Sequence, residues 1–144
     1  MKLTLDEVLP KCKEVLKSCR IDDKSERYGD SLSFYLKNDF YFEECWNLDH
    51  SLAALILPRL IHFKENHIGI PGNLCEYDEN GNITNKEDAE TKWQNILDKM
   101  IYAFWEVILD RFLEIEDDIE RENIENKVTE GLKLFGEHFR SLWD

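Results

Sequence analysis

The chain has 144 residues, with 31 acidic side chains against 18 basic ones and a formal net charge of -13. That balance argues against a nucleic-acid backbone or an anionic membrane surface as partner, because phosphates reward clustered Lys and Arg. A basic partner protein, mimicry of a polyanion, or plain solubility fit it better.

The composition, 42% hydrophobic and 12% aromatic, is that of a globular protein. The length suits a single domain over residues 1–144, with a core that needs neither disulfide nor metal. The first residues carry charges every few positions and no apolar run, so they do not form a signal peptide, and nothing in the chain spans a membrane. Cysteines stand at 12, 19, 45 and 75, without CxxC pairs and without the density of a secreted scaffold. Buried reduced thiols in a cytoplasm are the expectation.

Thr4-Leu5-Asp6-Glu7 has the form of a capping box. Leu5, Val8, Leu9, Cys12, Val15, Leu16 and Cys19 then recur at helical spacing. Pro10 lies one turn too deep to be neutral, so this helix either kinks there or begins near it. Residues 21–30 are polar and end it. Residues 30–42 fit either a short strand or a helix, and helix is the preferred assignment.

Residues 49–65 hold the most apolar run of the chain, including Leu52, Ala53, Leu55, Ile56, Leu57, Leu60, Ile61 and Phe63, with Pro58 in the middle. A helix apolar nearly all round belongs at the centre of a domain. The apolar run is shorter than the roughly 20 residues a bilayer crossing needs. Asn47 or Asp49 would cap this helix. Pro58 would bend it and leave the carbonyl of Ala54 without its donor, with Arg59 or His62 as replacements. The helix signals then stop, and residues 70–85 read as a loop insertion with a small hairpin around Asn80-Gly81.

Trp93, Ile96, Leu97, Met100, Ile101, Phe104, Val107, Ile108, Phe112 and Leu113 follow at strict helical spacing. Residues 114–122 are a charge run, the usual form of a solvated helix end or loop. Val128, Leu132, Phe135, Phe139, Leu142 and Trp143 mark a last amphipathic helix. The expected fold is therefore all-α, a compact bundle around a Pro-kinked central helix.

Signals of catalysis and metal binding are weak. His62 and His67 are five apart, off the spacing with which one helix grips zinc. Asp78, Asn80, Asn82 and Thr84 imitate the first half of a calcium loop, but Gly81 falls at its fourth position, where an EF-hand needs glycine at the sixth, and Ala89 stands where the closing glutamate belongs. The paired glutamates of all-α, magnesium-dependent nucleotide pyrophosphatases are matched only partly, by Glu43-Glu44 and by Glu114 with Asp117. No nucleophile elbow or phosphate loop is present. The sequence predicts a non-enzymatic protein without metal or cofactor.

The remaining candidates are aromatic rings and isolated charges. Trp46 and Trp93 could stack a planar base, Arg59 and Lys99 could face phosphates, and Asp49 could take ribose hydroxyls, with His62 nearby. Against this stands the plainer alternative, that the rings are core and that Arg59 pairs with a carboxylate of another helix such as Asp98 or Asp144.

Several strings together are similar to one family. They are Trp46-Asn47-Leu48-Asp49, Ile56-Leu57-Pro58-Arg59-Leu60 with Phe63-Lys64-Glu65, Gly69-Ile70-Pro71-Gly72, residues 96–104, and the ending from Glu130-Gly131-Leu132 to Leu142-Trp143-Asp144. They resemble small uncharacterised proteins encoded by tailed phages and prophages. The resemblance covers roughly residues 43–144 and leaves 1–42 as the N-terminal helical part of the same domain.

It implies a viral protein made in a bacterial cytosol, and it brings no established activity or site. Small phage proteins of this kind often act on host defence. The leading expectation is an anti-defence protein that sequesters a nucleotide-derived immune signal, as a homo-oligomer, through Trp46, Asp49, Arg59, His62, Trp93 and Lys99. The alternatives are an acidic protein that inhibits a host protein directly, a pyrophosphatase, or a structural accessory protein.

Overall fold

Thr4 and Glu7 start the first helix as their spacing predicts. The Glu7 carboxylate accepts from the Thr4 backbone N–H at 2.7 Å and from its hydroxyl at 2.8 Å, which satisfies a donor that the helix itself cannot. The computed structural model describes residues 2–18 and 47–143. It contains helices α1 (Leu5–Ser18), α2 (Leu48–Asn66), α3 (Lys86–Leu109) and α4 (Asp118–His138), with 3₁₀ turns at Gly72–Leu74, Phe112–Glu114 and Phe139–Ser141. The fold is all-α. The helix expected over residues 30–42, together with Trp46, Cys19, Cys45 and Asp144, lies outside the described residues.

α1 runs through Pro10, so the helix begins before the proline and not at it. Val8 and Cys12 are its buried residues, and α1 packs on α2 and α3. α2 likewise continues through Pro58 and buries Ser51, Ala53, Ala54, Leu57, Leu60 and Ile61. It is less uniformly buried than its composition suggests, since Leu48 and Leu52 stand about half exposed. Asn47 occupies the cap position in the left-handed region, φ 56°, and its side chain makes no capping bond. Asn is among the few side chains that tolerate that conformation.

α3 carries the strict helical rhythm and is the element that contacts all three other described helices. Trp93, Leu97, Met100, Ala103, Phe104 and Ile108 come from it, and each buried large side chain contributes about 1.5–3 kcal/mol. α4 reaches this core through α3. Gly131 is buried where the two cross, with Lys99 and Ala103 of α3 directly beneath it.

Between α2 and α3 the chain makes a minimal hairpin with one antiparallel bridge, Tyr77 to Ile83. Asp78 N–H donates to Asn82 O at 2.9 Å, and Gly81 N–H donates to Asp78 O at 3.0 Å. The connection is thus three residues, 79–81. Gly81 takes the one positive φ in the turn, +81°, as a three-residue loop closing in a bulge requires. Asp78 also accepts from the Asn80 and Asn82 backbone and from the Asn82 side chain. The residues that imitated a calcium loop serve the turn.

Candidate functional site

A pocket of 370 Å³ opens where the start of α2, the end of α3 and the middle of α4 meet. Its shape follows from how α3 stops. Asp110 turns into the left-handed region, φ 48°, and its N–H donates to Glu106 O at 3.1 Å. Such a residue closes a helix and redirects the chain. Arg111 then reaches back to grip the Glu106 carboxylate with two donors, Nε at 2.9 Å and Nη2 at 2.7 Å. The Glu106 side chain is only 3% exposed, and a buried carboxylate is tolerable only with such a partner. Their mutual hydrogen bond raises the Arg111 pKa above its ordinary value.

A second arginine fixes the other side of the turn. Arg121 lies over the Phe112 ring at 5.5 Å, pairs with Asp118 at 2.7 Å and donates to the Ile115 carbonyl. Asp117 begins α4 by accepting from Ile119 N–H at 2.8 Å and Glu120 N–H at 3.4 Å. The charge run of residues 114–122 is therefore a loop plus the first turn of α4, and Asp117 is occupied as a cap. Among the described residues no group of three metal-ligating side chains converges.

The pocket lining combines half-buried Val107, Ile124 and Val128 and the Phe112 ring with the carboxylates of Asp49, Glu106, Asp110 and Glu125. His50 bridges two of these acids, with Nδ1 3.1 Å from Asp49 and Nε2 3.5 Å from Asp110. Desolvation pushes the Asp49 carboxyl up, but hydrogen bonds from the His50 side chain and backbone outweigh it and hold it below its usual range. Glu106 is answered by Arg111, and Glu125 has no partner among the described residues. The result is an apolar floor under a negative rim.

Of the six residues expected to form a nucleotide pocket, Asp49 lines this one. Trp46 is outside the described residues. Arg59, His62, Trp93 and Lys99 do not line it, and each has another occupation. Arg59 is exposed and donates from Nη1 to Leu55 O at 2.6 Å, beside the Ala54 carbonyl that Pro58 deprives of its helical donor. The expected partner Asp98 is held by Lys64 instead, tying α2 to α3. His62 faces Asn66 at 3.3 Å on the exposed side of α2. Lys99 pairs with Glu130 of α4 at 2.5 Å.

Trp93 is 0% exposed, enclosed edge-on by Phe63 and His67 at 6.4 Å each and by His138 at 5.5 Å. It offers no open ring face to a base. Its Nε1 has no hydrogen-bond partner among the described residues.

His50, Glu106, Asp110 and Glu125 escaped the sequence analysis. The one available signal was Glu106, an acid inside the apolar rhythm of α3 with an arginine five residues on. That spacing is wrong for a pair within one helix and becomes right only when the helix stops at Leu109. The chain matches no protein-family model, no curated protein and no solved structure.

Proposed function

We propose that this is a phage-encoded protein that acts without catalysis, by binding a bacterial host protein through its acidic surface. The resemblance of residues 43–144 to phage and prophage proteins supplies the setting. The observation that supports the mode of action is the 370 Å³ pocket, whose lining sets four carboxylates against one histidine, with Arg111 behind it already engaged by Glu106. A nucleotide sequestered there would bring its phosphates against carboxylates, and like charges brought together cost several kcal/mol. The cations proposed to face phosphates are spent elsewhere, Lys99 on Glu130 and Arg59 on its own helix. A basic protein surface meets the opposite situation, with steering from a net charge of -13.

The test is retention of host proteins on the immobilised chain at low and high ionic strength, with mass spectrometry of small molecules released by heat from the same preparation. The expected result is a basic protein that binds the wild type, leaves as salt rises, and is lost with Asp110→Lys or Glu125→Lys. Recovery of a tightly held nucleotide, with no salt-sensitive protein, would overturn this function in favour of signal sequestration.

A further inference from the structure

We infer that the pocket at the end of α3 is a socket for one Lys or Arg side chain, presented by a cationic, amphipathic segment of the partner protein. This rests on the protein-binding function proposed above and names the chemistry of its contact. Two independent features converge on that occupant. The floor is apolar: Val107, Ile124 and Val128 are half-buried, and Phe112 keeps 39% of its surface open. Lys and Arg bury an aliphatic stem on such a surface while the charged head stays at the polar edge.

The rim is negative where that head would arrive. Asp49 and Asp110 stand around it with His50 between them, Glu125 adds a third carboxylate, and Arg111 is already engaged with Glu106, so the acids outnumber the bases at the rim.

The volume discriminates further. A cavity of 370 Å³ is at the lower end of small-molecule sites, so it admits a long side chain and leaves no room for a folded element. The surface outside the socket indicates what carries that side chain. Leu113, next to Phe112 of the lining, and Ile119, in the first turn of α4, are 91% and 71% exposed. Aliphatic side chains so open beside an acidic mouth suit the apolar face of the same segment. A second copy of this chain is disfavoured, since two bodies of charge -13 repel.

The test uses a fluorescent helical peptide of alternating Leu and Lys faces, with fluorescence anisotropy as the readout. A matched peptide has norleucine in place of its central lysine. Protein variants are Glu125→Lys on the rim, Thr129→Trp to fill the socket, and Glu90→Lys, the same charge change on an exposed stretch of α3 away from it. Circular dichroism checks that each is folded.

The lysine peptide should bind the wild type, and its affinity should fall roughly tenfold with either socket variant, about 1.4 kcal/mol. It should change no more than about twofold with Glu90→Lys. The norleucine peptide should bind about tenfold more weakly than its parent.

Equal losses from Glu90→Lys and Glu125→Lys would show diffuse attraction and overturn the socket, while leaving host-protein binding intact. Equal affinity of the two peptides, or no binding of either, would overturn it as well. Displacement of the peptide by free spermidine at matched charge would transfer the site to small amines and sink the protein-segment assignment. Sedimentation showing a dimer through this face would do the same in favour of a second copy.

Discussion

Gly131 sets how closely α3 and α4 approach, and replacing it with alanine measures that closeness. A Cβ at this position would lie 2.3 Å from Lys99 O, 2.5 Å from Ala103 Cβ and 3.0 Å from Lys99 C. Ordinary contact begins near 3.4 Å, so the clash with the carbonyl is about 1 Å deep. Backbone cannot rotate away as a side chain can, and α4 must therefore lift or slide. Movement there would strain the Lys99–Glu130 pair and the Phe104–Phe135 contact at 4.9 Å.

Overpacking costs about 1–3 kcal/mol and occasionally more, while Gly→Ala in a helix interior returns about 1 kcal/mol. With a rigid carbonyl as obstacle the upper part of the range applies, and Gly131→Ala should lose about 2 kcal/mol net. For a chain of this size that lowers the melting temperature by roughly 8 °C. Gly136 is the internal control, on the same helix with nothing within 4 Å of its added methyl. Gly136→Ala should gain about 0.5–1 kcal/mol and raise the transition by a few degrees.

The assay is thermal and urea unfolding by circular dichroism on both variants. A third variant, Gly131→Ala with Ala103→Gly, removes the methyl contact but not the carbonyl, and should recover less than half of the loss. Gly131→Ala melting at or above the wild type would refute the close crossing. It would also remove the reason for the placement of the groove residues that α4 carries.

Three other outcomes follow from the same contacts. Arg111→Ala should cost about 2–4 kcal/mol, because it strands the Glu106 carboxylate in a buried site. Urea melts at neutral pH read the deficit, and a variant as stable as the wild type would contradict this. Glu7 is held below its ordinary 4.5 by the Thr4 side-chain and backbone bonds, and Asp78 below 3.8 by the Asn82 side chain and backbone. Both charged forms are favoured by folding, so their stabilisation is complete above those values and is lost as pH falls through the lower folded pKa. The gap in melting temperature between wild type and Asp78→Ala should accordingly close in acid. Cys12 is 1% exposed and burial pushes its thiol up to about 11. It should resist iodoacetamide in the folded chain, and its contribution to stability should decline as pH rises from 9.0 towards that value, which residue-level mass spectrometry and alkaline melts would read.

The helices were legible because their signals are local. The capping box at Thr4 and Glu7 forms as its spacing demands, and the rhythm from Trp93 follows the buried face of α3 as far as Ile108, whereas Phe112 and Leu113, which continue it in sequence, lie past the helix end and are exposed. Pro10 and Pro58 were informative about missing donors but not about helix ends, because both helices continue through them. Packing decided the rest. The apolar density of α2 pointed to it as the centre, yet α3 touches more of the fold, because its buried residues spread along 24 positions with small ones, Ala89 and Ala103, where neighbours come close. Small residues at crossings carry no periodic signature, and Gly131 gave none.

The site was less legible, and for a physical reason. An arginine in an apolar helix suggests a waiting ligand only if its guanidinium has nowhere else to go. Arg59 reaches the exposed side of α2 and donates one turn back, to Leu55 O, so the charge stays hydrated and needs no occupant. Trp93 was ambiguous in the same way, since a ring at helical spacing serves a core or a pocket equally well, and here Phe63, His67 and His138 close over it. The groove instead depends on where a helix stops. Asp110 reverses the chain, which brings Arg111 onto Glu106 and leaves Asp49, Asp110 and Glu125 facing a common space. Before the reversal is known these acids are three of 31 scattered along the chain. After it, Arg111 answers Glu106, His50 lies between Asp49 and Asp110, and the excess of acids at the rim gives the groove a negative charge that a cation complements.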